Sequence, residues 1–275
     1  MKCQTELGRA PAKVNLHLNV YGKRPDGYHE LISVFQKISL ADEILMKVYH
    51  DDSSITIPEA YVTGLENLVE KGHDSMTKAI GFWCRRFNIP IRVEIVINKR
   101  IPSGSGLGGA SSDAAFVLLV LNQLFFKQVD QDYMSAVALE VGADVPFFLS
   151  GAHAAVVEGI GDVITPLAKP KNFFGYVLLP KKSVATSSAY SRLDEIGLCT
   201  RVLDGAELAN MYSSPIGTWR FANDFARVTL PPEVRVPDNA FYSLTGSGSA
   251  GIMLNSVFPP FAADFDGQVF PVLLL

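Results

Sequence analysis

The sequence predicts a chain of mixed strands and helices folded as two domains, and three observations carry that expectation. Apolar residues alternate at Val14, Leu16, Leu18 and Val20 and again at Val93, Ile95 and Ile97, the two-residue period of a half-buried strand. Ala114 to Phe126 has the length and composition of a buried helix, and Leu65, Leu68, Val69, Met76, Ile80, Trp83 and Phe87 fall near helical spacing. At 275 residues, 48% of them hydrophobic, the chain can bury two cores, and the stretch Pro166 to Asn172 is the best candidate linker. The expected domains are therefore residues 1–167 and 168–275.

Taken in order, the first strand runs from Pro11 to Tyr21. Its polar side carries Lys13, Asn15, His17, Asn19 and Tyr21, so an ammonium and a carboxamide stand two residues apart on one face. That face is either solvated or part of a site. Pro25-Asp26-Gly27 makes a turn, followed by Tyr28-His29, an aromatic ring beside an imidazole that suits a planar heterocycle or is simply packed. Val34 to Val48 reads as one or two strands and Asp51 to Tyr61 as a polar connection. A long amphipathic helix then starts near Leu65, with Asn67 in its first turn.

The central stretch runs Lys99-Arg100-Ile101-Pro102-Ser103-Gly104-Ser105-Gly106-Leu107-Gly108-Gly109-Ala110-Ser111-Ser112-Asp113, between a strand and a buried helix. Four glycines let backbone N–H groups approach a ligand with no Cβ in the way, and the helix start adds partial positive charge, which suits a phosphate. Ser111, Ser112 or Asp113 is the expected cap of that helix. Gly104-x-Gly106-x-x-Gly109 also fits a dinucleotide fingerprint, but that needs a strand ending in an acidic residue about twenty positions on. The polar segment Lys127 to Tyr133 stands there instead, and the absence of Gly-Lys-Ser/Thr excludes a Walker A loop.

A shorter helix, Tyr133 to Val141, is stopped by Gly142. In Gly142-Ala143-Asp144-Val145-Pro146-Phe147-Phe148 a carboxylate follows the stop amid apolar residues, where it either caps the next turn or faces a cation. Ala154–Glu158 and Asp162–Leu167 read as a hairpin around Gly159-Ile160-Gly161. Beyond the linker come a strand at Phe174–Leu179, a helix around Ser187–Leu193, a helical stretch near Asn223–Val228, and a turn from Leu244 to Gly251 entering Ile252-Met253-Leu254. Phe258 to Leu275 is apolar without a clear period.

A formal net charge of −4 provides no global basic field, so neither nucleic acid nor an anionic membrane is an expected partner. Cys3, Cys84 and Cys199 are odd in number and lack metal-ligand spacing, which points to free thiols in a reducing compartment. With no apolar signal core and no run long enough for a membrane span, a cytoplasmic protein is expected.

Pro11 to Leu16 with Asp26 to Leu31, Pro102 through Ala115, and Leu244 through Gly251 resemble, in order, the three motifs of the GHMP small-molecule kinases. Within them, Gly27-Tyr28-His29, Gly106 to Ala115 and Gly142 to Phe148 together resemble the branch acting on the 2-hydroxyl of 4-diphosphocytidyl-2-C-methyl-D-erythritol, of non-mevalonate isoprenoid synthesis. The likeness is close over residues 11–167 and looser beyond. It implies a two-domain α+β fold, with a mixed α/β N-terminal domain bearing the glycine loop and a smaller ferredoxin-like C-terminal domain. It implies ATP and Mg2+ as cofactors, Asp144 as the catalytic aspartate that orients or deprotonates the acceptor hydroxyl, and Lys13 as its partner. It assigns the ATP phosphates to Pro102, Ser103, Gly104, Ser105, Gly106, Leu107, Gly108, Gly109, Ala110, Ser111 and Ser112, and the adenosine to Asn67 and Lys99. Asn15, Tyr28, His29 and Tyr190 fall on the substrate side, His29 at the cytosine edge and Tyr190 as a second stacking ring, while Ser111 or Ser112 could touch magnesium. Another GHMP kinase, for mevalonate, homoserine or a sugar, would have no need of Tyr28-His29 with Tyr190. A non-catalytic sensor on the same fold would have no need of Lys13 with Asp144.

Overall fold

A computed structural model describes residues 2–50, 55–126, 131–168, 173–181, 184–199, 202–257 and 265–275, with backbone alone for 131–135. The chain forms two compact units, neither of them one continuous stretch.

The first unit comprises Met1–Pro11, Ala41–Ser103 and Gly108–Gly151. It holds the start of β1 (Lys2–Lys23), the end of β2 (His29–His50), β3 (Glu59–Thr63) and β4 (Arg92–Asn98). β4 runs antiparallel to β2, with Ile97 opposite Ile44, and parallel to β3, with Ile95 opposite Val62. Its alternating Val93, Ile95 and Ile97 are buried, as their period requires. Helices α1 (Ser75–Phe87), α2 (Gly109–Phe125), α3 (Gln131–Val141) and α4 (Val145–Leu149) pack with them. Trp83 of α1 is fully buried, its ring 5.1 Å from that of Phe125, and its indole N–H donates to Asn122 at 3.2 Å.

α1 starts ten residues later than its apolar spacing suggests. Asp74 accepts the Thr77 N–H at 2.8 Å and caps the helix there, after Gly72 at φ +82° has broken the preceding turn. Asn67 consequently lies in an exposed turn, outside any helix.

The second unit comprises Ala12–Leu40, Gly104–Leu107 and Ala152–Leu275. The early part of β2 pairs with β5 (Ala154–Gly159), which turns back through Gly159 (φ +70°) and Gly161 (φ +114°) into β6 (Val163–Pro166), the expected hairpin. A second sheet is antiparallel throughout, in the order β10 (Gly267–Leu273), β7 (Phe174–Pro180), β9 (Gly251–Asn255), β8 (Phe241–Leu244). Its last strand therefore lies beside its first, an interleaved α+β arrangement. Part of the apolar tail is β10, while 258–264 lie outside the described residues, as do 169–172 of the expected linker. Helices α5 (Thr186–Ile196) and α6 (Gly205–Ser213) complete the unit; α6 has a capping box, Asp204 with Glu207, not read from the sequence. The helical stretch near Asn223 is a short 3₁₀ turn, Asp224–Arg227.

β1 departs most from its sequence reading. Val14 and Leu16 are buried as expected, but so are Lys13, Asn15, His17 and Asn19 on the other face, so a solvated outer face is ruled out. Burying four polar side chains in a row requires partners for each. His17 Nε2 lies 2.7 Å from Asn19 Oδ1, while His17 Nδ1 accepts the Ala222 N–H, so the imidazole is neutral and burial holds its pKa down. Asn19 in turn donates to Asp224, whose other oxygen accepts the Val20 N–H.

Candidate active site

The glycine segment is built for close backbone approach. Gly104, Gly106 and Gly108 have φ of +70°, +75° and +71°, in the left-handed region where a side chain is strained. A Cβ on Gly104 would meet nothing within 4 Å, whereas one on Gly106 would come within 3.8 Å of the Gly246 Cα. The segment Gly104–Leu107 thus packs directly on the turn after β8, and Lys13 N–H donates to Leu107 O at 2.9 Å. Asn223 pins that same turn by donating to Leu244 O and Gly246 O.

The expected cap of α2 is not the one found. The helix starts at Gly109 with Gly108 as its N-cap and no side-chain hydrogen bond there, so Ser111, Ser112 and Asp113 lie inside its first turns. A left-handed glycine can start a helix but offers no oxygen to the leading N–H groups. Main-chain donors without a side-chain cap, behind exposed glycines, fit an anion such as a triphosphate. Among the described residues no cluster of three or more His, Cys, Asp or Glu could hold a metal.

Lys99 is held between two acids. Its ammonium lies 2.5 Å from Asp42 Oδ2 and 2.8 Å from Asp113 Oδ2, and only 14% of its side chain is exposed. Asp42 Oδ1 accepts the N–H groups of both Arg100 and Ile101, so the pair of acids clamps the stem leading into the glycine segment. Burial pushes the Asp113 carboxyl up to about 7, Lys99 opposing and the neighbouring Asp42 adding to the rise. Burial would lower Lys99, but the two carboxylates outweigh it and hold the ammonium above its usual value.

Asp144 occupies the N-cap position of α4, yet its side chain makes no capping bond to that helix, so it does not serve as the cap of that turn. Pro146 sets the first turn, and Phe147 and Phe148 are buried beneath it. The turn adjoins the start of α2: a Cβ on Gly142 would stand 3.7 Å from Ser111 Oγ.

Lys13 is 4% exposed, with its ammonium 2.8 Å from Asn15 Oδ1 and 4.3 Å from the centre of the Phe35 ring. Asn15 donates onward to Ser33 Oγ, and Ser33 donates to His17 O. The Asn15 N–H donates to Thr245 Oγ1. The carboxamide predicted to face substrate is therefore also the strut that aims Lys13.

Tyr28 is 58% exposed beyond an Asx turn in which Asp26 accepts its N–H. The His29 ring packs on Tyr190 at 4.7 Å and 31°, and Tyr190 stands edge-on to Phe225 at 4.8 Å. Asp194 beside His29, Lys23 on the other oxygen of Asp194, Asp42 beside Lys99, and Ser33 beside Asn15 were all missed by sequence reading. Their partners are distant in the chain, 165 residues for His29 and Asp194.

Residues 67–152 match the family model for the GHMP kinases N terminal domain. The chain is similar to a protein of Pseudomonas syringae pv. syringae (strain B728a) named 4-diphosphocytidyl-2-C-methyl-D-erythritol kinase, 40% identical over 184 residues, 66% of this chain and 62% of that one. The protein of that name from Treponema pallidum (strain Nichols) is 33% identical over 262 residues, 88% of this chain and 87% of its own length. The match thus spans under two thirds of the Pseudomonas protein but most of the Treponema one. A crystal structure of 4-(cytidine 5'-diphospho)-2C-methyl-D-erythritol kinase superposes with a TM-score of 0.70 at 28% identity, covering 98% of this chain and 99% of that one. The Methanococcus jannaschii mevalonate kinase shares the fold, with a TM-score of 0.61 at 13% identity.

Proposed function

The chain belongs to the 4-diphosphocytidyl-2-C-methyl-D-erythritol kinases of the GHMP kinase family, and from that premise we propose that it transfers the terminal phosphoryl group of ATP to the 2-hydroxyl of that cytidine-diphosphate ester. The observation that carries this reading is the run of three left-handed glycines opening into a helix whose N-cap offers no side chain. Residues 1–167 and 168–275 are proposed as the family's N- and C-terminal domains.

Phosphoryl transfer asks for positioning and charge neutralisation more than covalent chemistry. Main-chain N–H groups between Pro102 and Ser112 hold the phosphates. ATP would supply the phosphoryl group, and Ser111 or Ser112 together with the ATP phosphates would hold a magnesium ion whose charge would offset theirs. Asp144 accepts a hydrogen bond from the acceptor hydroxyl and takes its proton as the new P–O bond forms and the bond from the γ-phosphorus to the β,γ-bridging oxygen breaks, ADP leaving with that oxygen's electron pair. Lys13, steadied by Asn15, supplies positive charge on the acceptor side. Tyr28 and His29 hold the cytosine, with Tyr190 behind the imidazole. Asn67, in its exposed turn, is proposed as an adenosine contact. Lys99 is proposed to serve the adenosine side indirectly, through the clamped stem. The same reading makes the protein a cytoplasmic enzyme of isoprenoid precursor synthesis.

The test is turnover across a panel of alcohols with magnesium and ATP. The cytidine-diphosphate ester should be the substrate, with mevalonate, homoserine and sugars slower by at least about a hundredfold, the scale set by leaving a site's polar groups unpaired. Equal turnover of mevalonate would reject the assignment.

A further inference from the structure

Asp194 has no role in the reading above, yet it forms a short hydrogen bond to a residue that does. It projects from α5, its Oδ1 2.7 Å from His29 Nε2 and its Oδ2 2.5 Å from Lys23 Nζ. The Lys23 ammonium and the imidazole hold its carboxyl below the usual carboxylate range. An ionised carboxylate can only accept, so the Nε2 of His29 must carry the hydrogen between them. In the neutral imidazole that leaves Nδ1 unprotonated, an acceptor.

Rotation offers no escape from this assignment. Nine-tenths of the His29 side chain is buried, its face lies against Tyr190, and Tyr190 is backed by Phe225. The ring plane and the tautomer are thus set by different neighbours, Tyr190 for one and Asp194 for the other.

We infer that Asp194 is a positioning residue that fixes the His29 proton on Nε2, so that Nδ1 accepts from the 4-amino group of cytosine and turns away uracil. The inference rests on the proposed reading that His29 meets the base edge. Cytosine presents a donor at its 4-position, where uracil presents a carbonyl oxygen. Two acceptors facing each other lose a hydrogen bond and leave both groups desolvated without a partner. Lys23, about half exposed, acts through Asp194 by keeping it charged. The fold therefore tells the two pyrimidines apart with an acid that does not touch the base.

The experiment compares kcat/KM for the cytidine- and uridine-diphosphate esters in the wild-type chain, Asp194→Leu and Asp194→Asn, alongside the nitrogen-15 spectrum of the His29 ring without substrate. In the wild type the spectrum should show the proton on Nε2 and the cytidine ester should be preferred. In Asp194→Leu that preference should fall by about ten- to a hundredfold, through a raised KM for the cytidine ester with the KM for ATP unchanged. Asp194→Asn, whose amide can turn to donate as well as accept, should show a smaller loss and a mixture of tautomers, and it provides the reading should the leucine variant not fold. An unchanged preference in the variants, or a wild-type spectrum with the proton on Nδ1, overturns the inference while leaving the kinase reading intact. A wild-type chain that phosphorylates neither ester overturns the kinase reading and this inference with it.

Discussion

Replacing Asp144 by Asn is expected to lower kcat by about a hundred- to ten-thousandfold, the range a positioned acid–base group contributes, while ATP binds as before. The carboxylate makes no capping bond to α4, so the helix loses no N-cap hydrogen bond when the charge is removed. Asn has the same shape and can still touch a hydroxyl, but it cannot take the proton. Steady-state kinetics with calorimetric ATP titration separates the effects: a fall confined to kcat is the expected pattern. A variant with near-normal kcat would remove Asp144 from the chemistry.

The second large effect falls on stability. Lys99→Met leaves Asp42, which is fully buried, and Asp113, 3% exposed, facing each other without their cation. Breaking a buried pair by removing one partner costs about 3–5 kcal/mol, and urea denaturation should show a loss of that size. Its pH dependence identifies the cause. Asp113 titrates near 7 in the fold and at 3.8 ordinarily, so between those values the native chain holds a proton the unfolded chain has released. Stability therefore declines as pH rises through that window. Asp113→Asn should flatten this decline, and adding it to Lys99→Met should restore part of the lost stability. A Lys99→Met chain as stable as the wild type would show that the clamp contributes nothing, and a large selective loss of ATP affinity in it would mean that Lys99 contacts the nucleotide directly.

Alternation and glycine placement made the strands, the hairpin and the glycine segment legible, because both are local properties of the chain. What stayed hidden was settled by distant partners. The face from Lys13 to Asn19 stayed open between a solvated edge and a site because nothing nearby in sequence marks Ser33, Ala222, Asp224 and Thr245 as the groups that make burial tolerable. Asp42 sits inside a strand and acquires meaning only from Lys99, 57 residues on. The start of α2 was misjudged because oxygen-bearing side chains are the usual caps, and here a left-handed glycine takes the position. β10 escaped notice because Pro271 interrupts its pattern, which an edge strand tolerates.

Among the candidate site residues, the loop and Asp144 could be proposed from short motifs. The neighbours that aim Lys13 and His29 could not, since a hydrogen bond across 165 residues leaves no local periodicity.

The most direct test is amide chemical-shift mapping, first with a non-hydrolysable ATP analogue and then with the cytidine-diphosphate ester. The amides of Gly104, Gly106 and Gly108 to Ser112 should move most in the first step, and those of Tyr28, His29 and the Asp144 turn in the second. If the analogue leaves the glycine amides unmoved and shifts another part of the chain, the triphosphate is held elsewhere and the proposed chemistry fails.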